Sequence, residues 1–414
     1  MSDPSFDASH TVCRICQGTT LEPLLDFGSQ PIAHRLLNNP DDPEECFRLS
    51  VDLCPACGLI QNRRPIDPEI LYRDYNYCLS SWKAQPHILD EIALIREHGR
   101  GGSVFEVGCN DGLFLAQLSQ AGFAPVTGVE PNTVAGAMAR EKGFAIYSSM
   151  LTTQVCQEAV REYGMFHVVV IRQVLEHLPD LHHAFDRMES LLAEDGLLLI
   201  EIPDFDRGLD QGDCSVLWEE HVNFFTEPVI HRLLTMRGFE PLAWRRYDFS
   251  GGALTVLARR GRSLPVSDLR AGPSLERGLA FAEQVRRYGH ELRMTLERWR
   301  GAGGRVVLYG TGGRACTVVN GLELGAFIDM SVDDQRERQN KFMPGSRLPI
   351  REPQAMTGLE KALLVLLAVN CENEAQVMSK VTALCGEVQF LSLFSPNDIQ
   401  GDLDRLARRM DQKG

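Results

Sequence analysis

The sequence predicts a three-part α/β chain. A central doubly wound, mostly parallel sheet is preceded by a small cysteine-built module and followed by a smaller Rossmann-like α/β domain. Three observations carry this. Residues 85–262 alternate strand-like and helix-like segments, two C-x-x-C pairs stand in the first block, and a second strand–glycine turn–helix pattern begins at Arg305. Strands alternating with helices imply a parallel sheet covered on both faces. The expected divisions are 1–84, 85–262 and 263–414.

A chain of 414 residues has room for two or three domains. A net charge of -14 with no long basic run argues against a nucleic-acid partner. No apolar run is long enough to span a bilayer. The start, Met1-Ser-Asp-Pro-Ser-Phe-Asp7, lacks a signal-peptide pattern, so a cytoplasmic location is expected. There, twelve cysteines suggest reduced thiols and metal ligands before disulfides.

Cys13-Arg-Ile-Cys16 and Cys54-Pro-Ala-Cys57 are knuckles whose sulfurs can each reach one ion. Four thiolates suit a tetrahedral structural Zn2+ and leave no open position for chemistry. Two redox dithiols are the other reading, but no thioredoxin-like helix supports it. Cys46 reads as a spare ligand or a lone buried thiol. Next come Tyr72, Tyr75 and Tyr77 with Ser80 and Ser81. This segment either packs aromatic rings between domains or covers a ligand.

In the middle block strands are expected at 103–107, 126–129, 144–147, 166–171, 196–202 and 253–258. Helices are expected at 87–98, 113–121, 133–141 and 181–193. Val104 to Val107 feed a glycine turn and then a helix start. Glycine lets the backbone approach a ligand, and a helix N-terminus offers free N–H groups. Glu106, Gly108, Asn110 and Gly112 lie close to the E-x-G-x-x-x-G signature of S-adenosylmethionine (SAM) enzymes. Glu130 ends the next strand, where two ribose hydroxyls need an acceptor. Ligands bind at the carboxyl ends of such strands. Tyr147–Ser149, Arg172–Gln173 and Pro203–Asp204 therefore converge there, with Gln173 toward the adenine or methionine end. His177, on the helix start that follows, reads as packing or capping before catalysis.

Glu219, Glu220 and His221 sit among Trp218, Val222, Phe224 and Phe225. An apolar setting shifts proton affinities, and histidine suits proton abstraction near neutral pH. A satisfied structural histidine is the alternative. Residues 261–302 read as a connector with a helix from Leu275 to Arg300, interrupted near Gly289. Strands are expected at Phe327–Asp329 and Ala362–Val369. Gly310-Thr-Gly-Gly-Arg-Ala315 formally fits a dinucleotide fingerprint, with Asp329 near the acidic place. It also fits a domain that binds a phosphate or nucleotide of the substrate. Lys341 and Arg347 flank a Pro-Gly turn that could meet a diphosphate.

Together these pieces resemble the SAM-dependent C-methyltransferases that act on nucleotide-linked keto-deoxysugars, as in branched antibiotic sugars. The resemblance rests on the paired C-x-x-C module, Tyr75 to Ser81, the E-x-G-x-x-x-G-like core and Glu220-His221. It also rests on Tyr309 to Gly313, Lys341…Pro344-Gly345…Pro349-Ile350 and Leu366 to Asn370. It implies a central class I SAM-methyltransferase domain and a 4-keto-6-deoxyhexose on a nucleoside diphosphate as substrate. It implies His221 as the base, Glu220 supporting it, and Tyr77, or next Tyr75, assisting. The C-terminal domain, with Lys341, Arg347 and Asn370, would hold the nucleotide of a monomeric or dimeric enzyme. Three departures stand out. Asn223-Phe224 follows Glu-His-x where the family has tyrosine, and the linker carries Cys78, Leu79 and Trp82. Ser250-Gly-Gly-Ala-Leu-Thr255 replaces a His-Gly-Gly-Ser-Leu-Arg segment. That last departure leaves open a different acceptor, an oxygen or a non-sugar carbon.

Overall fold

The computed structural model describes residues 12–71, 85–99, 101–261, 272–359, 362–394 and 397–411. The linker with Tyr75 and Tyr77 lies outside the described residues. In the first block β1 (Glu22–Pro31), β2 (Cys46–Leu53) and β3 (Ile60–Asn62) form antiparallel pairs, and α1 (Pro68–Leu71) ends it.

The middle block opens with α2 (Ile88–His98) and β4 (Val104–Val107), then α3 (Leu113–Gln120) and β5 (Val126–Val129). It continues through α4 (Thr133–Glu141), β6 (Ala145–Tyr147), α5 (Thr153–Tyr163) and β7 (Phe166–Arg172). It closes with α6 (Leu181–Leu191), β8 (Leu192–Pro203), α7 (Phe205–Gln211), β9 (Asn223–Phe224), α8 (Glu227–Met236), β10 (Phe239–Tyr247) and β11 (Ala253–Arg260). A seven-stranded sheet runs β10-β11-β8-β7-β4-β5-β6, with β11 antiparallel to both neighbours. The order reverses beside β4, which puts the crevice for a ligand at the carboxyl ends of β4 and β7. The edge strand β10 was not expected from the sequence. Pro241, Arg245 and Arg246 interrupt its apolar pattern, and an edge position tolerates them.

The last block holds α9 (Leu275–Gly301), β12 (Arg305–Tyr309), α10 (Gly313–Gly321), β13 (Met330–Val332), β14 (Ile350–Arg351), β15 (Leu363–Leu367), α11 (Cys371–Cys385), β16 (Gln389–Ser392) and α12 (Ile399–Asp411). Its sheet is parallel, in the order β14-β13-β12-β15-β16. Two expectations are corrected here. Helix α9 is unbroken at Gly289, where a Cβ would come 3.1 Å from Leu322 Cδ2, so the glycine admits a close neighbour. Nor is α9 a connector. It buries Phe281, Val285, Tyr288, Leu292 and Leu296 in one core with Leu24 and Leu53 of the first sheet and Leu308 of the third. The strand expected at Phe327–Asp329 forms at Met330–Val332 instead, after a 3-10 turn at Gly325–Phe327.

The two knuckles meet. Cys13 and Cys57 Sγ are 3.3 Å apart, Cys16 and Cys54 Sγ 3.5 Å, and all four sulfurs lie within 4.8 Å of one another. A tetrahedron with Zn–S bonds of about 2.3 Å has sulfur–sulfur edges of about 3.8 Å, so the set fits zinc. Hydrogen bonds from Cys54 and then burial raise Cys13 to about 12, and the Cys57 thiol is pushed up by Cys13 and Cys54. A bound cation displaces those protons. Cys46 is exposed and outside the cluster, which corrects its reading as a ligand or buried thiol. Buried Arg14, inside the first knuckle, donates to Val222 O (3.0 Å) and Asn62 O (2.7 Å). The metal module is thereby fastened to the middle block. Stripping the metal with a chelator, or replacing Cys57→Ser, is expected to lower the melting temperature of the whole chain by ~5 °C or more. An unchanged melting curve with the metal gone contradicts this.

Candidate active site

The residues expected at a cofactor corner gather at the carboxyl ends of β4, β5 and β7. Gly108 (φ 70°) lies so close to the loop after β7 that a Cβ would meet Val174 Cγ2 at 2.5 Å. Gly112 (φ 75°) starts α3 without a capping side chain, so the first N–H groups of the helix face the turn. Glu130, just past β5, accepts the Asn110 N–H at 2.8 Å and the Asn132 N–H at 2.7 Å. Burial raises its pKa, and those two N–H groups oppose the shift. Each carboxylate oxygen keeps a lone pair for a ribose hydroxyl. Glu106 Oε2 is buried with no hydrogen-bond partner among the described residues, and burial pushes this carboxyl up to about 8. A turn of close backbone, a held acceptor and an orphaned buried oxygen fit SAM.

Arg172, read from the sequence only as part of a converging segment, is the centre of a buried ion network. Its guanidinium reaches Glu91 (2.9 Å), Glu201 (2.6 Å) and Gln85 (2.5 Å), and lies over the Phe114 ring at 4.4 Å. His87 is 3.3 Å from Glu201. Burial opposes ionisation of Glu201, yet Arg172 and then His87 hold it down at about 2. Burial raises Glu91 to about 8 against the pull of Arg172. Thr255, at the place of the missing family arginine, donates to Glu91 at 2.7 Å. Gln173 commits its amide N–H to Glu201 at 2.9 Å. Nothing in the sequence links residues this far apart, so the network was not legible there.

The Glu-His segment docks on the loop that follows Gln173. Val222 N–H donates to Glu176 O (2.8 Å), His177 Nδ1 lies 2.9 Å from Glu220 O, and Asn223 Nδ2 donates to Leu178 O (2.8 Å). The His221 ring stands edge-on to His177 (4.9 Å) and Trp218 (5.0 Å). Burial, then His177, lowers its pKa well below the ordinary value, against a hydrogen bond to Val216. The imidazole is therefore neutral near pH 7. His177 stands in this cluster at the end of a 3-10 turn (Leu175–His177). Burial pushes Glu176 up to about 8, and neither of its oxygens has a hydrogen-bond partner among the described residues. Glu219 is raised to about 8 by burial and then by Glu220. His34, from the cysteine module, lies 3.0 Å from Glu220 Oε1.

The C-terminal block reaches the same region through Gly313, where a Cβ would overlap the Trp218 ring at 1.7 Å. Thr311 donates its N–H and hydroxyl to Asp333 Oδ2 (3.0 and 2.7 Å) at the carboxyl end of β13. Asp329 lies at the other end of that strand and accepts from Val306, Arg300 and Arg305. It is therefore not the acidic residue of a dinucleotide corner. Arg347 is spent on Pro40 O, Asp42 O and Glu44, at 2.8, 2.7 and 2.8 Å, which corrects its reading as a free diphosphate ligand. Asn370 accepts from Arg314 (3.4 Å), which also holds Ser215 and Ser250 O. Lys341 forms no ion pair among the described residues.

Two measurements follow. Glu130→Ala is expected to weaken SAM binding ~10- to 100-fold by calorimetry, the value of a charge-assisted hydrogen bond or two. Equal affinity contradicts the corner. Glu176 is protonated in the fold but ionises near 4.5 when unfolded, so the stability it contributes is complete below that pH and is lost as pH rises through about 8. Glu176→Gln should raise the melting temperature at pH 8 and change it little at pH 4; the reverse order contradicts the assignment.

Three family profiles match in chain order: a zinc binding domain at residues 13–72, a methyltransferase domain at 81–243 and a C-methyltransferase C-terminal domain at 273–390. The C-methyltransferase NovU of Streptomyces niveus is 28% identical over 380 residues, covering 86% of this chain and 89% of that protein. A ubiquinone biosynthesis O-methyltransferase of Haemophilus ducreyi is 32% identical over 106 residues, 24% of this chain and 44% of that protein. Among solved structures, the Burkholderia thailandensis 1,6-didemethyltoxoflavin-N1-methyltransferase is 20% identical, covers 49% of this chain and 96% of its own, and has a TM-score of 0.37. The middle sheet is a class I SAM-methyltransferase fold, and the cysteine cluster is a zinc site. The chain thus carries, in order, the zinc-binding, methyltransferase and C-methyltransferase C-terminal domains that these profiles describe, and it is similar along most of its length to a C-methyltransferase.

Proposed function

We propose that this enzyme methylates a carbon next to the ketone of a nucleotide-linked 4-keto-6-deoxy sugar, with His221 as the base. One observation carries the reading. The buried, neutral His221 imidazole stands edge-on to the ring of His177, which lies on the loop that follows Gln173 and meets the Glu220 carbonyl. Carbon methylation needs a carbon nucleophile. A ketone acidifies its neighbouring C–H, and a positioned base removes the proton. SAM supplies a methyl group on a sulfonium that leaves readily. His221 takes the proton, His177 and Trp218 fix its ring, and Glu220 orients the site. Tyr77, or Tyr75, assists at the oxygen of the developing enolate. The zinc is structural and takes no part in the chemistry.

We assign residues 1–84 to the zinc module and linker, 85–262 to methyl transfer and 263–414 to holding the nucleotide. Lys341 and Asn370 face that last task, which the Thr311–Asp333 corner supports. The same reading places the enzyme in the cytoplasm, in antibiotic deoxysugar assembly. A second reading, methylation of an oxygen or a non-sugar carbon, is favoured by the Ser250–Thr255 segment. Its hydroxyl at Thr255 is bound to Glu91, and the Ser250 carbonyl to Arg314.

The test is solvent-deuterium exchange at the acceptor carbon. Wild type is expected to exchange it, and His221→Asn to slow exchange ~10²- to 10⁴-fold. Because the pKa of His221 is lowered, the rate should stay level as pH falls to the ordinary histidine range. Absence of exchange in wild type with every keto-sugar tried overturns the first reading and favours the second.

A further inference from the structure

We propose that His34, delivered by the zinc module, is a positioning residue that holds the Glu220 carboxylate and, through it, the segment that carries His221. The inference rests on the reading of Glu220-His221 as the acid–base site. Two adjacent carboxylates capture two adjacent groups of the segment after β1. Glu219 Oε1 accepts the Ala33 N–H at 2.7 Å, and Glu220 Oε1 lies 3.0 Å from His34 Nδ1. A carboxylate accepts, so Nδ1 carries the proton. The far side of the segment is fixed as well, because Leu37 exchanges backbone hydrogen bonds of 3.0 and 2.8 Å with Phe342. The imidazole is thus aimed by backbone contacts before it meets Glu220.

The arrangement answers a physical need. The Glu220 side chain is only 1% exposed, and a buried carboxylate without a donor is costly. Burial and then Glu220 raise the neighbouring Glu219 carboxyl to about 8. His177 Nδ1 meets the backbone oxygen of Glu220, and His34 meets its side chain. Removing the His34 ring would take away that contact and let the carboxylate rotate. Zinc, through the module it stabilises, thereby completes a site it does not enter.

The experiment compares His34→Ala with His34→Asn, because the Asn amide nitrogen reaches the place of imidazole Nδ1. Zinc content and SAM affinity are measured alongside. In His34→Ala, kcat and the exchange rate should fall about tenfold or more, with zinc and SAM binding intact. His34→Asn should recover most of the loss. An unchanged His34→Ala, or equal losses in both variants accompanied by loss of zinc, overturns the proposal. A second readout needs no acceptor. The 15N resonance of His34 Nδ1 in histidine-labelled wild type should move in Glu220→Gln and stay in place in Glu176→Gln. If it does not move in Glu220→Gln, the pairing is refuted. If it moves while wild type exchanges no keto-sugar, the pairing stands and only the substrate reading fails.

Discussion

The backbone of residues Glu220 to Phe224 is held from two sides by main-chain bonds, and the rest of the structure depends on that grip. Strand β9 pairs with β3 of the zinc module, through Ile60–Phe224 and Gln61–Asn223. Val222 donates its N–H to Glu176 O, on the turn after β7, and its carbonyl accepts from Arg14 of the first knuckle. The C-terminal domain adds packing, with Gly313 against Trp218. A two-residue strand cannot hold itself, so its position is set by the elements it joins. In the proposed reaction no metal is needed at the reacting carbon, and the part of the metal module is to hold this segment. The module fixes one wall of the pocket.

Burial sets the charges of the pocket. Glu106, Glu91, Glu176 and Glu219 are all pushed toward about 8. Arg172 is the one guanidinium that repays this cost, and it keeps Glu201 ionised. His221 answers the same pressure in the opposite sense and stays neutral. Burial therefore keeps these acids protonated and the His221 imidazole unprotonated, the state that the proposed proton abstraction at neutral pH requires.

Much of this was legible in the chain, for local reasons. The knuckle spacing, the E-x-G-x-x-x-G-like turn and Glu130 depend on short stretches whose geometry follows from their residue types. The structure brings the four cysteines together and sets Glu106, Gly108 and Glu130 at one corner. What sequence missed is long-range. His34 lies on a loop 186 positions from Glu220, and Arg172 meets Gln85 across 87. Helix α9 looked like a linker because its apolar face serves two other sheets, and the charge of its exposed face masks it. Asp329 fitted the fingerprint by spacing, but the strand began later and put Asp333 at the ligand end instead.

The central claim is that the neutral His221 imidazole generates a carbon nucleophile for methyl transfer. The most direct test is to incubate the zinc-loaded enzyme with SAM and a panel of nucleotide-linked 4-keto-6-deoxy sugars, and to locate any added methyl by mass and NMR. The account predicts one methyl on a carbon adjacent to the ketone. A methyl on oxygen, or no product with any sugar while SAM binds normally, would contradict it.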